Sequence, residues 1–191
     1  MPQISKVRIV NFNYNDGKRL IADELFDFAD KDGIVALNSL INLKNGGGKS
    51  VLVQLMLQPI HPKAKVAGRK IESFFTKASD HCFIAIEWFK DNSKEKLMTG
   101  IAMASGESSG GTESEAKGRP IKYYTFMSNY SDYNSKFNMI ELPLSRKEKS
   151  GFIAASFNEV RELAKKSNGD LNYYTSDESR YWREKIAEYG I

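Results

Sequence analysis

The residues best suited to chemistry in this 191-residue chain form one short segment, Lys44-Asn45-Gly46-Gly47-Gly48-Lys49-Ser50. A polyphosphate requires many hydrogen-bond donors and close approach of the backbone, and consecutive glycines allow both because they lack a Cβ. A lysine can extend its ammonium group along the β- and γ-phosphates, and a neighbouring hydroxyl can bind Mg²⁺. The segment therefore predicts a loop that binds a nucleoside triphosphate, with ATP and Mg²⁺ as the expected ligands.

Each residue of this loop has a predicted role. The predicted binding residues are Lys44, Asn45, Gly46, Gly47, Gly48, Lys49, Ser50 and Val51. Among them, Lys49 is the predicted catalytic residue and Ser50 the predicted metal ligand. The usual pattern begins with a glycine five residues before Gly48, and Leu43 occupies that position here. A glycine-rich turn that only happens to precede Lys-Ser is the alternative interpretation.

Two elements must position the loop. The apolar run 35–43 is short and continuous, as expected of a strand buried on both faces. The segment 51–58 is long enough for a helix and ends before Pro59. A helix that begins near Gly48 or Lys49 would direct the positive end of its dipole at the phosphates.

The rest of the chain predicts an α/β fold with α+β character. It consists of a mixed sheet, the helix after the loop and an antiparallel β-meander. Strands are predicted over 7–12, 83–89, 97–103, 121–127 and 139–144, a strand or mixed segment over 19–30, a flexible loop over 105–118 and helices over 157–166 and 177–189, the last capped by Ser176 or Asp177.

Composition excludes several classes of protein. Hydrophobic residues make up 41% of the chain, which is ordinary for a globular protein. The single cysteine, Cys82, and two histidines cannot form an internal disulfide or a Cys/His zinc cluster. There is neither a signal peptide nor a run of ~20 apolar residues that could span a membrane. We therefore expect a cytoplasmic protein with an inert, buried thiol.

The segment Asn45–Ser50 resembles the phosphate-binding loop of SMC-like and ABC-type ATPases. The opening is similar too, with two strands followed by this loop within about fifty residues of Met1. The aromatic-rich strands Phe83–Phe89, Met98–Met103 and Tyr123–Phe126 resemble the antiparallel lobe of the MukB/JetC-like group. The likeness is specific at the loop and looser over residues 60–145.

This resemblance implies more than the residues show. The heads of such ATPases are split into an N-terminal half with the loop, a long coiled coil, and a C-terminal half with the signature motif and the Walker B acid. ATP binds between two heads and drives movement of DNA in chromosome segregation, repair or defence. Residues 1–191 then form one N-terminal lobe of a nucleoid-associated ATPase, which alone binds nucleotide weakly and hydrolyses hardly any.

Several further residues are weaker candidates. The family places the adenine near the first two strands, so Phe12, Asn13, Tyr14 or Arg19 could contact the base or ribose. The basic residues Lys63, Lys65, Arg69 and Lys70 could contact DNA phosphates. Gln54 and Gln58 lie on the predicted helix after the loop, where packing or solvent exposure is the default expectation.

Two other functions are consistent with these residues. One is a self-contained P-loop kinase or NTPase in which Glu87, in an apolar strand, serves as the Walker B acid. The antiparallel character of the middle third argues against that class, because kinases of this size alternate strands and helices. The other is an interaction module that has lost nucleotide binding, which the intact Lys49 and Ser50 argue against.

Overall fold

The computed structural model describes residues 2–14, 18–29, 35, 39, 41, 48–66, 68–74, 81–89, 95–105, 121–149 and 151–191. These residues form an α/β structure with one large antiparallel sheet. The strands are β1 (Gln3–Tyr14), β2 (Arg19–Asp27), β3 (Cys82–Phe89), β4 (Lys96–Ser105), β5 (Ile121–Tyr130), β6 (Ser145–Glu148), β7 (Gly151–Ala154) and β8 (Leu171–Thr175). The helices are α1 (Lys49–Leu57), α2 (Phe157–Lys166) and α3 (Ser179–Glu188).

The large sheet has the strand order β2-β1-β3-β4-β5-β8, and β6 pairs only with β7. Strands β3, β4 and β5 form the predicted antiparallel meander. Every pair between described strands is antiparallel, so these strands do not form the mixed sheet predicted from the sequence. The strand predicted over 35–43 lies outside the described residues, apart from Val35, Ser39 and Ile41.

Both faces of the sheet are covered, as the continuous apolar run of β3 requires. On one face, Ile84 and Ile86 belong to a core with residues of α1 and α3. On the other face, Phe83 and Ala85 belong to a core with α2 and the segment 131–155. Helix α1 is therefore separated from α2 by the full thickness of the sheet.

The segment 139–144 is not the strand predicted from the sequence but a series of turns. Arg8 Nη1 donates hydrogen bonds to three of its carbonyl oxygens, those of Met139, Ile140 and Leu142, at 3.1, 3.1 and 2.9 Å. Asn138 Oδ1 accepts from two of its backbone N–H groups, at 2.6 and 2.8 Å. An extended strand points successive carbonyl groups in opposite directions and cannot direct them at one guanidinium.

The two C-terminal helices are close to the prediction. Helix α2 has the predicted bounds, because Ser156 and Glu159 form a capping box at its start and Asn168 and Gly169 end it at φ 54° and 99°. Helix α3 begins two residues later than predicted, after a 3₁₀ turn over Ser176–Glu178. The predicted caps are wrong, since Thr175 precedes that turn and its N–H donates to Glu178 at 2.6 Å.

Two other predictions concern the loop after β4 and the length of the helices. The loop predicted over 105–118 lies outside the described residues after Ser105. Among the helices that are described, none has the length and apolar character needed to cross a membrane.

Candidate phosphate-binding site

The start of α1 has the geometry expected of a phosphate-binding helix. Gly48 is its N-cap and adopts a left-handed conformation with φ 90° and ψ 20°. The Leu52 N–H donates to the Gly48 carbonyl at 2.8 Å, which closes the first turn. Within the described residues no side-chain hydrogen bond caps the helix and its first turn has no acidic residue, so no described group there neutralises the N-terminal N–H groups and dipole.

The predicted site residues fall into two groups. Lys44, Asn45, Gly46 and Gly47 lie outside the described residues. Gly48, Lys49, Ser50 and Val51 are described, and the side chains of Lys49 and Ser50 are exposed at the first turn of α1. Val51 is partly buried and its side chain packs against the core. The exposed ammonium and hydroxyl groups therefore lie at the N-terminal end of the helix.

Helix α1 is held on the sheet by apolar and polar contacts. Leu52 and Leu55 are buried in the core shared with β3. Gln54 is also buried, and its Nε2 donates to the carbonyl oxygens of Ala64 and Arg69 at 3.2 and 2.9 Å. Gln58 Oε1 accepts from the Lys63 N–H at 2.9 Å. Both glutamines therefore bind the segment that follows the helix, which agrees with the expected packing role.

The residues predicted near the base or ribose have different environments. Phe12 is buried, and its ring lies 6.0 Å from that of Phe74 in an edge-to-face contact, so it belongs to the core. Asn13 and Tyr14 are half-buried and Arg19 is exposed. Of these four, Tyr14 lies against Gly48: a Cβ placed on the glycine would be 3.3 Å from the tyrosine Cε2.

Glu87 is completely buried, on the face of the sheet opposite α1. Tyr130 and Tyr133 both donate hydrogen bonds to its carboxylate, Tyr133 at 2.8 Å to Oε1, and the Lys6 ammonium is 4.0 Å from Oε1. Burial, and then the charge of Glu87, raise the pKa of the Tyr130 hydroxyl well above its usual value. These contacts argue against Glu87 as a Walker B acid, because its carboxylate lies on the face of the sheet opposite α1.

The predicted DNA-contacting residues are all exposed. The ammonium of Lys63 lies 5.4 Å from the centre of the Tyr123 ring, and the guanidinium of Arg69 lies 5.6 Å from that of Phe74. Within the described part of the chain, Lys63, Lys65 and Arg69 form no ion pair. Their charges are therefore available to a polyanion.

Two observations concern metals and the cysteine. Within the described ranges, no group of three His, Cys, Asp or Glu side chains could hold a metal ion. The Ser50 hydroxyl thus remains the predicted protein ligand for Mg²⁺, with phosphate oxygens as the other ligands. Cys82 is buried, and burial raises the pKa of its thiol to about 12, which makes it the inert thiol predicted.

Comparison with known proteins adds no assignment. No protein-family model matches the chain, and no curated protein is significantly similar to it in sequence. The candidate site is therefore defined by the glycine-rich motif before Lys49 and by the geometry around α1.

Two features of this site were not predicted from the sequence. They are the contact between Tyr14 and Gly48 and the hydrogen bonds by which Gln54 and Gln58 hold the segment after α1. The sequence signal for the contact between Tyr14 and Gly48 is Asn11, near the end of the predicted strand 7–12. Asparagine adopts left-handed conformations more readily than other non-glycine residues.

Proposed function

We propose that this chain is the ATP-binding N-terminal half of an SMC-like ATPase head. The supporting observation is the start of α1, where a left-handed glycine leads into a helix whose first turn exposes Lys49 and Ser50. Glycine is the residue that adopts this conformation without strain, and the free helix end attracts an anion. The arrangement suits a triphosphate better than a solvent-exposed turn, which has no need of either feature.

The proposed roles follow from the chemistry of the motif. Residues 44–51 would hold the triphosphate through their backbone N–H groups, and the ammonium of Lys49 would neutralise its charge. The hydroxyl of Ser50 would hold Mg²⁺, which would supply further charge neutralisation. Lys49 is therefore the proposed catalytic residue, since its ammonium would contact the phosphoryl group that is transferred.

The uncovered face of α1 supports the proposal that the head is incomplete. Six of the nine residues of α1 are apolar, yet Val53 is 52% exposed and Leu57 is 36% exposed. The apolar residues of a helix are normally buried against another element. We propose that a C-terminal head half carrying the signature motif and the Walker B acid covers this face, and that a second head joins when ATP binds.

DNA is the proposed partner of the complete protein, which would act in the cytoplasm at the nucleoid. The exposed charges of Lys63, Lys65 and Arg69 support it, because phosphate contacts by such residues dominate affinity for DNA. They are held close to α1, since Gln54 and Gln58 bind the segment that carries them. Nucleotide binding and DNA binding would thus occur on one rigid unit.

Assays of binding and turnover test the proposal against a self-contained enzyme. We expect the chain to bind Mg·ATP without multiple turnovers, and Glu87→Gln to leave the affinity unchanged, because Glu87 faces away from α1. Multiple turnovers by the chain alone that Glu87→Gln abolishes would support a self-contained kinase or NTPase instead. Absence of any nucleotide binding would favour an interaction module.

A further inference from the structure

We propose that Tyr14 is a positioning residue for the phosphates, because its ring packs on Gly48 and holds the left-handed turn from which α1 begins. This inference rests on the proposed nucleotide binding at the same site. It assigns Tyr14 to the phosphate end of the ligand rather than to the base.

Tyr14 lies against Gly48, the left-handed residue from which α1 begins. A Cβ placed on Gly48 would be 3.3 Å from Cε2, 3.6 Å from Cζ and 3.7 Å from the hydroxyl oxygen of Tyr14. The distal end of the ring therefore covers the glycine. A free glycine samples both signs of φ and loses more conformational entropy on ordering than any other residue. We infer that the ring packed against Gly48 reduces this freedom and favours the observed φ of 90°.

Asn11 explains why Tyr14 reaches this position. Ile9 and Phe12 belong to the core beneath α1, whereas Val10 belongs to the core on the opposite face. Strict alternation along a strand would place residues 9, 11 and 13 on one face. Asn11 has φ 54°, which shifts the alternation by one residue and turns Phe12 and Tyr14 towards α1.

The left-handed conformation of Asn11 is itself supported by a long-range hydrogen bond. Its Nδ2 donates to the carbonyl oxygen of His81 at 3.0 Å, just before β3. Asparagine is among the few non-glycine residues that tolerate such a φ. Asn11, Tyr14 and Gly48 therefore form a connected series that runs from the sheet to the phosphate-binding turn.

Preorganisation of this kind affects every ligand that uses the turn. If Tyr14 orders the backbone N–H groups, its loss weakens binding of all polyphosphates by a similar factor, whatever base they carry. If Tyr14 instead stacked on adenine, its loss would weaken binding of ATP and leave inorganic tripolyphosphate unaffected.

Calorimetry with Mg·ATP and with magnesium tripolyphosphate distinguishes these cases. We expect Tyr14→Ala to weaken both ligands equally, by about tenfold, because an ordered turn then has to form on binding. Tyr14→Phe keeps the ring and should stay within about twofold of the wild-type affinity. Asn11→Gly permits the same φ and should bind nearly as well, whereas Asn11→Val should behave like Tyr14→Ala.

The inference is overturned if Tyr14→Ala weakens ATP alone, or if it weakens neither ligand. Binding of ATP but not of tripolyphosphate by the wild-type chain would overturn it too. If Tyr14→Ala does not fold, judged by circular dichroism, Tyr14→Leu takes its place with the same expected results. Failure of the wild-type chain to bind either ligand would instead contradict the proposed function itself.

Discussion

Arg8 and Asp23 form a two-point ion pair across β1 and β2, with Nε to Oδ1 at 2.9 Å and Nη2 to Oδ2 at 2.8 Å. The third guanidinium nitrogen binds the turns of 139–144, and the Ser145 hydroxyl donates to the same carboxylate. The first hairpin and the segment that covers the face opposite α1 are therefore joined through one pair. The pair is partly buried, and such a pair is costly to break because the remaining charge loses its partner.

Arg8→Met should lower the free energy of unfolding by about 3 kcal/mol, because Asp23 and the three carbonyl groups lose their donor. Urea denaturation measures this loss. Arg146→Met is the matched control, since Arg146 forms exposed ion pairs with Glu148 and Glu159, and it should cost less than about 1 kcal/mol. Equal losses in the two variants would contradict the structural role of Arg8.

The Asp23 pair should also make stability depend on pH. Burial acts to raise the pKa of the Asp23 carboxyl, but hydrogen bonds from Arg8 and Ser145 and the charge of Arg8 outweigh it, so the pKa lies below its usual value. A lowered native pKa stabilises the fold above the unfolded pKa of roughly 3.9. This stabilisation is lost as the pH falls through the native pKa.

The measurement compares wild type with Asp23→Asn by urea denaturation over a series of acidic pH values. We expect the difference in free energy of unfolding to be constant near neutral pH and to shrink once the pH falls below about 4. A difference that stays the same down to the lowest pH, or that grows, would show that the carboxylate charge is not what stabilises the pair.

Gly100 and Phe126 are cross-strand partners in β4 and β5, and the phenyl ring occupies the space of a Cβ at residue 100. Gly100→Ala should therefore destabilise the protein by about 1–3 kcal/mol, because the buried ring has to move in a close-packed core. In a Phe126→Leu background the same change should cost less, which a double-mutant cycle measures. Additive costs would mean that the ring and the added methyl group do not compete for space.

The two faces of α1 should respond differently to truncation. Leu55 is fully buried, so Leu55→Ala should cost about 2–5 kcal/mol. Val53 is more than half exposed, so Val53→Ala should change stability by no more than about 0.5 kcal/mol. Thermal unfolding of the isolated chain measures both. A large loss from Val53→Ala would show that this face is already covered, and the proposed docking of a C-terminal half would lose its support.

Local patterns predict those elements that local contacts stabilise. The apolar run of β3 predicts a strand of the antiparallel meander, and the Ser156–Glu159 box and Asn168-Gly169 set the bounds of α2. By contrast, Arg8 is more than a hundred residues from the turns that it binds. The apolar residues of 139–144 predict a strand when only nearby residues are considered. The turns form instead because the distant Arg8 binds their carbonyl groups.

In the candidate site too, some features are predicted by adjacent residues and others depend on residues far apart in the sequence. Lys49 and Ser50 follow directly from a motif of adjacent residues. The contact of Tyr14 with Gly48 depends instead on a single left-handed residue, Asn11, and on the pairing of β1 with β3. Likewise, whether Glu87 faces α1 depends on which side of the sheet α1 packs against. The spacing of residues in the sequence does not reveal that side.

Nucleotide binding is tested most directly by calorimetric titration of the chain with Mg·ATP, beside Lys49→Ala and the control Lys65→Ala. We predict one binding event per wild-type chain, an affinity at least tenfold weaker in Lys49→Ala, as expected when a charged phosphate contact is lost, and no change in Lys65→Ala. The absence of any heat in the wild-type chain, or equal affinities in wild type and Lys49→Ala, would contradict the proposed triphosphate site.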